Sequence, residues 1–142
     1  RVYGCDSCQT SCPVNKGKDF HFHEEMEADP EIAKPLLRPM LKMSNREFKN
    51  KFGSVAGSWR GKKPIQRNAI IALAHFKDES AIPELLSVLE NETSSVLKET
   101  AAWALGKIGS PEAIKELEKI VETEDDLDIK GEIEKSLLKL KN

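Results

Sequence analysis

The sequence predicts a mostly α-helical protein whose second half is a helical solenoid, and three observations predict it. From residue 64 onward the chain repeats itself at an offset of 32 residues. That offset carries Ala69, Ala72, Leu73, Ala81, Ile82, Glu84 and Leu85 onto Ala101, Ala104, Leu105, Ala113, Ile114, Glu116 and Leu117, and it carries Ile65 to Leu97 and then to Ile129. The same step takes Ala101 to Ile133 and Leu105 to Leu137. Second, each unit reads as a helix, a short turn and a second helix, with Pro and Gly marking the breaks. Third, small residues recur at matched positions (Ala69, Ala72, Ala101, Ala104), where they let paired helices approach closely. One such unit cannot bury its own apolar face, so stacking of neighbours supplies the core.

The elements run in order along the chain. Residues 1–28 hold every Cys and all but one of the His, show little periodicity, and read as loop with short turns. Residues 29–63 read as a basic connector with two short helices. Asp29-Pro30 makes an N-cap and N1 pair for the first, but Pro35 and Pro39 interrupt the stretch after it. The second begins at Ser44-Asn45-Arg46-Glu47, which has the capping-box form; Phe48 and Phe52 share one face, and Gly53 stops it. Residues 64–142 are the repeats. Pro64 opens the first helix. Asp78 is expected to cap the return helix, with Pro83 early in it, and Ser110-Pro111 has the same place in the second unit. Gly109 separates the second pair. The third unit has only its first helix, 126–141, whose Lys-rich end suits a helix C-terminus. The pattern fits HEAT-like repeats.

Composition removes several classes. The chain has 142 residues with 22 basic and 24 acidic side chains, a formal net charge of −2. Residues 1–67 hold 13 Lys/Arg against 8 Asp/Glu, and residues 68–142 hold 9 against 16, so the halves carry +5 and −7. No apolar run approaches the roughly 20 residues that span a bilayer, and nothing resembles a secretory leader. At 32% charged and 39% hydrophobic, with its apolar residues in register, the chain is not disordered. A cytoplasmic monomer is expected, with no membrane partner. The chain starts at Arg1, without Met and directly on a motif, and reads as a piece of something longer.

That motif is Cys5-Asp6-Ser7-Cys8-Gln9-Thr10-Ser11-Cys12-Pro13, or Cys-x-x-Cys-x-x-x-Cys-Pro. It matches the last three ligands of the bacterial ferredoxin run, whose final Cys serves the other cluster of a pair. Val2 stands where the first Cys of that run belongs. Thiolates are soft donors and suit iron–sulfur or zinc. The first two can grip adjacent irons, while the third, followed by Pro, points elsewhere. Zinc held by Cys5, Cys8 and Cys12 with His21 or His23 is the rival, and structural thiols without metal are the third possibility. With three Cys present, one cluster needs a ligand from outside this chain. Residues 1–28 thus read as the end of a ferredoxin-like iron–sulfur segment.

A second feature is charge. Residues 42–67 include Lys42, Arg46, Lys49, Lys51, Arg60, Lys62, Lys63 and Arg67 against Glu47 alone, +7 in 26 residues. Such a stripe can neutralise phosphates and give salt-dependent, sequence-blind affinity for nucleic acid. Trp59, in the loop Gly57-Ser58-Trp59-Arg60-Gly61-Lys62-Lys63, can stack on a splayed base. The alternative is that these cations solvate a connector and Trp59 plugs a helix joint. His75 aligns with Lys107 and is expected on an exposed face, Trp103 is expected in the core, and His21 and His23 in a surface loop. The acidic run Glu122, Glu124, Asp125, Asp126, Asp128 precedes a helix, where negative charge is favourable; it lacks the spacing of a calcium loop.

Taken together, Val2-Tyr3-Gly4-Cys5-Asp6-Ser7-Cys8-Gln9-Thr10-Ser11-Cys12-Pro13-Val14-Asn15 resembles the second cysteine motif of epoxyqueuosine reductases, Gly-Cys-Asp-x-Cys-Gln-x-x-Cys-Pro-x-Asn. Phe52-Gly53-Ser54 through Trp59-Arg60, then Arg67-Asn68-Ala69-Ile70-Ile71-Ala72-Leu73, is similar to the family's entry into its HEAT-like repeats. The resemblance implies a cobalamin-dependent oxidoreductase with two 4Fe–4S clusters that reduces epoxyqueuosine to queuosine in tRNA. By that pattern Cys5 and Cys8 join two upstream Cys around one cluster, and Cys12 crosses to the other. The cobalamin-binding domain and catalytic acid are expected upstream of Arg1, so this piece alone is expected to be inactive. Electrons come from a donor of unknown identity. A tRNA partner favours phosphate contact by Arg46, Lys49, Lys51, Arg60, Lys62, Lys63 and Arg67, with Trp59 beside them. Two other readings stand: a non-catalytic helical-repeat module with a zinc-stabilised loop, and another two-cluster iron–sulfur oxidoreductase.

Overall fold

The computed structural model describes Cys5, residues 7–18 and residues 23–141. Its α-helices are α1 (Ser7–Thr10), α2 (Pro30–Ala33), α3 (Leu37–Leu41), α4 (Asn45–Phe52), α5 (Lys63–Phe76), α6 (Ile82–Asn91), α7 (Ser95–Ile108), α8 (Pro111–Thr123) and α9 (Leu127–Lys141), and no strand occurs among the described residues. The order is that of stacked helical hairpins: α5 with α6, α7 with α8, then α9. The first helices stand side by side, α5 against α7 and α7 against α9, while α6 and α8 pack on α7 from the other layer. No helix among the described residues is long and apolar enough to cross a membrane.

Most repeat positions read from the sequence are core positions, while Ala72, Ile114 and Leu137 are half-buried. Ile65, Leu97 and Ile129 are buried, as are Ala69, Ala101 and Ile133, and Leu85 with Leu117. Helix α7 has neighbours on four sides, which is why Leu97, Ala101, Ala102, Ala104, Leu105 and Ile108 are all buried around its circumference. It packs tightly on α9 at Gly106. A side chain there would run into Cβ and Oγ of Ser136, so the absence of a Cβ is what lets the two backbones touch.

Between α7 and α8, Gly109 takes the left-handed conformation (φ 72°) and donates its N–H to the Leu105 carbonyl at 3.0 Å, and Ser110 Oγ accepts from Ala113 N at 3.2 Å. The first pair turns differently. Lys77 occupies the left-handed position (φ 51°), and Asp78 caps a 3-10 turn, Glu79–Ala81, by accepting from Ser80 N at 3.1 Å. Asp78 therefore caps the turn that leads into α6, not α6 itself, which starts at Ile82.

Three short α-helices, where two were expected, lie in residues 29–63. Pro35 does end α2, whose N-cap Asp29 accepts from Glu31 N at 2.9 Å. Pro39 interrupts nothing: it falls in the first turn of α3, where a missing N–H leaves no bond unmade. The capping box forms as read, with Ser44 N donating to Glu47 Oε2 at 2.7 Å and Glu47 N donating to Ser44 Oγ at 3.2 Å. Those bonds from Ser44 hold the Glu47 carboxyl below its ordinary range. Phe48 and Phe52 stack at 6.0 Å between ring centroids and are buried. With Met40 and Leu41 they join the solenoid's core, and α3 lies against α5 and α6 as its first layer.

Candidate functional sites: the cysteine turn and the basic surface

The cysteine segment folds on itself through two of its uncharged polar residues. One turn of helix, α1, presents Cys8, and Ser11 N continues it by donating to Ser7 O at 3.0 Å. Asn15 Nδ2 reaches back to Gln9 Oε1 at 2.7 Å, while Asn15 N donates to Cys12 O at 3.1 Å. The chain between Gln9 and Asn15, including Cys12-Pro13, is thereby closed into a loop. Gln9 and Asn15, both part of the motif but given no role by the sequence, shape the backbone around the thiols. Cys5 Sγ donates to Ser7 Oγ at 3.1 Å; Cys5 and Cys8 are exposed, and Cys12 is half-buried.

The donor chemistry suits a soft metal or an iron–sulfur group, since three thiols lie on one short surface segment. Their number does not complete a cluster's ligand set. Among the described residues no group of three or more His, Cys, Asp or Glu is gathered at metal-holding distance. His23 is exposed and faces Glu25 at 3.1 Å. Val2, Gly4, Asp6 and His21, which also entered the sequence readings, lie outside the described residues.

The basic stripe divides by what each cation touches. Arg46 and Lys49, both exposed and three residues apart, are neighbours on the surface of α4. Lys51 pairs with Glu31 at 3.0 Å. Trp59 is 77% exposed, and the Arg60 guanidinium lies over its ring at 4.8 Å from the centroid. That geometry is a cation–π pair in which the ring's other face stays available. Trp59 thus does not plug a helix joint. Lys63 and Arg67 stand exposed one turn apart on α5. Lys62 behaves otherwise: it is half-buried and donates to the Met43 carbonyl at 2.7 Å.

Arg67 also lines a groove of about 410 Å³ with Ile71, Glu99, Thr100, Trp103 and Glu132. Trp103 is only partly buried, packed against the core from the groove side, so the expectation of a core residue is half right. Thr100, which lines the same groove, donates its hydroxyl to Val96 O at 2.6 Å within α7. His75 is exposed, as read.

Stacked helical hairpins at this period define a repeat protein. HEAT repeats match residues 60–138, and the chain belongs to the HEAT-repeat family. Beyond the repeats, it is 66% identical over 141 residues to the epoxyqueuosine reductase of Bacillus subtilis strain 168, which covers 99% of this chain and 36% of that protein. A solved epoxyqueuosine reductase with a tRNA-Tyr epoxyqueuosine-modified tRNA stem loop is 65% identical and superposes with a TM-score of 0.91, over 100% of this chain and 38% of that one. The Streptococcus thermophilus epoxyqueuosine reductase, 39% identical, superposes with a TM-score of 0.83 over 99% of this chain and 37% of that one. The chain therefore spans well under half the length of the relatives it matches, and it resembles epoxyqueuosine reductase along essentially its whole length.

Proposed function

We propose that this chain is the cluster-ligand and RNA-facing portion of an epoxyqueuosine reductase, which reduces epoxyqueuosine to queuosine in tRNA. The observation that carries it is the likeness to the Bacillus subtilis reductase at 66% identity, which runs through the cysteine motif, the connector and the repeats alike. In this reading residues 1–28 end an iron–sulfur domain, residues 29–63 are the connector and residues 64–142 the repeats, in a cytoplasmic, monomeric protein. Cys5, Cys8 and Cys12 hold 4Fe–4S iron together with Cys from elsewhere in the protein. When bound, the clusters supply one-electron transfer and cobalamin the reducing centre. What this chain's residues do is positional. The Gln9–Asn15 bond shapes the backbone that presents the thiols. Arg46, Lys49, Lys63 and Arg67 neutralise phosphates, Lys51 adds to them when released from Glu31, and the Arg60–Trp59 pair offers a stacking face. The tRNA-loop complex of a relative supports the choice of nucleic acid.

Two measurements on the whole reductase test this. Cys8→Ser should lower bound iron and abolish turnover, whereas full iron content and wild-type turnover would remove the ligand assignment. A single tightly held zinc in the 142-residue chain would instead favour the zinc-stabilised module. For the surface, log affinity for tRNA against log salt should fall steeply, and the quadruple change Arg46, Lys49, Lys63 and Arg67→Ala should flatten it by about 0.7–0.9 for each phosphate left unneutralised. An unaltered slope removes the basic-surface assignment.

A further inference from the structure

Helix α3 spans five residues, Leu37–Leu41, so its final carbonyls have no partner further along the same helix. Two side chains one turn apart, Gln66 of α5 and Lys62 at its N-cap, donate to the end of α3 and to the link that follows it. Gln66 Nε2 donates to Met40 O at 3.2 Å and Leu41 O at 3.1 Å. Lys62 Nζ donates to Met43 O at 2.7 Å. Gln66 is 4% exposed, and its amide can face only one way, because turning it over would set Oε1 against two carbonyl oxygens. The price of that orientation is visible: Gln66 Oε1 is buried without a hydrogen-bond partner. At the matched positions of the later repeats, 98 and 130, stand Lys98 and Lys130, so the glutamine belongs to this junction and not to the repeat.

Met43 directly precedes Ser44, the N-cap of α4. The carbonyl that Lys62 grips is thus one residue before the N-cap of α4. The Lys62 charge also bears on Glu47 of the same capping box, helping to hold its carboxyl ionised. Lys62 thus ties the residue that leads into α4 to the start of α5.

On the RNA-binding reading above, we infer that Lys62 and Gln66 are positioning residues: Gln66 closes the C-terminus of α3 and Lys62 holds the α3–α4 link at Met43, and together they set where α4 holds Arg46 and Lys49 relative to Trp59, Lys63 and Arg67. Lys62 then contributes to RNA affinity without neutralising a phosphate. This separates two lysines that sit side by side in the sequence.

The experiment uses the whole reductase and an RNA stem loop as probe, with Lys62→Met, Lys62→Arg, Gln66→Leu and Lys63→Met. Amide hydrogen exchange reads α4 without RNA; binding across a salt series reads the phosphate contacts. Lys62→Met should speed exchange in α4 roughly tenfold while α7 exchanges as before, and should weaken binding at every salt concentration with the slope unchanged. Lys62→Arg, which keeps a charged donor, should restore both. Gln66→Leu should repeat the pattern. Lys63→Met should do the reverse, lowering the slope by about 0.7–0.9 with α4 exchange at the wild-type rate. The inference is overturned if Lys62→Met lowers the slope as Lys63→Met does, or leaves α4 exchange untouched. Should Lys62→Met fail to fold, Lys62→Gln carries the same comparison. If no lysine change moves the slope, the RNA reading fails, while the α4 exchange rates still decide the cap.

Discussion

The first and second repeats are built from the same positions and finished in opposite ways. In the second, α7 is enclosed by helices on four sides, and its matched residues are apolar or small. In the first, α5 and α6 meet α3, which is no part of the repeat, and the junction adds polar side-chain bonds to the apolar packing of Met40 and Leu41. Glu84 and its counterpart Glu116 show the contrast. Glu84 accepts from Arg38 of α3 at 2.8 Å, and Lys42 stands 3.8 Å away. Glu116 pairs with Lys119 of its own helix at 2.7 Å. Likewise Gln66 ties α3 to α5, whereas Lys98, in the same place one repeat later, faces Glu124 at 3.6 Å. A repeat interior can rely on shape; an end that must join something unlike itself needs directional bonds.

The largest test of that contrast removes one leucine from each repeat. Leu105, fully buried within the enclosed α7, should cost about 4 kcal/mol on Leu105→Ala. Leu73, at the edge of a groove of about 480 Å³ lined in part by Leu36, Leu37 and Pro39, should cost about 2–3 kcal/mol on Leu73→Ala, since its surroundings can collapse. Equal costs in urea unfolding would mean that the two repeats are equally enclosed.

A smaller effect with a diagnostic sign comes from Gly106→Ala. Helix propensity alone favours alanine by about 1 kcal/mol, yet the new Cβ meets Ser136, and overpacking of this kind costs about 1–3 kcal/mol. The variant should be less stable, and Ser136→Gly in the same chain should recover part of the loss. A more stable Gly106→Ala would place α9 farther from α7. Smaller again is Lys77→Gly. Lys77 and Gly109 are the same position 32 residues apart, both left-handed, and only the first carries a side chain. Relieving it should raise stability by about 0.5–1 kcal/mol, read as a higher Tm.

The least effect, and the one most dependent on conditions, belongs to the Arg38–Glu84 pair. Hydrogen bonding from Arg38 holds the Glu84 carboxyl below its ordinary range. A depressed carboxyl pKa adds stability above the unfolded value of about 4.3, and that contribution is lost as pH falls through the folded value. Arg38→Ala should therefore lower Tm at neutral pH, and the difference from the wild type should vanish in acid. High salt should shrink it as well, because Arg38 is partly exposed.

Much of this was legible in the sequence for a local reason. The Ser44–Glu47 box and the Ser110 and Gly109 turn depend on residues within a few positions of one another, and the repeat shows as like residues recurring at a fixed offset. Where the reading missed, a partner lay far along the chain or a neighbour was equivocal. Pro39 looked like a breaker because nothing local says that α3 starts only two residues earlier. Asp78 looked like a helix cap because a 3-10 turn and a helix begin alike. Trp103 was assigned to the core by its place among alanines, though the face of α7 it occupies opens to a groove.

The sequence by itself determined the period, the helical hairpins, the run of thiols and the concentration of positive charge between residues 42 and 67. Only the tertiary structure decided which of those charges face outward. Lys62 reaches a carbonyl 19 residues back and Arg38 a carboxylate 46 residues on, and such pairs exist only once α3 has docked on α5 and α6. Periodicity is a property of neighbours along the chain, whereas the use of a polar side chain is settled by what folding brings within about 3 Å of it.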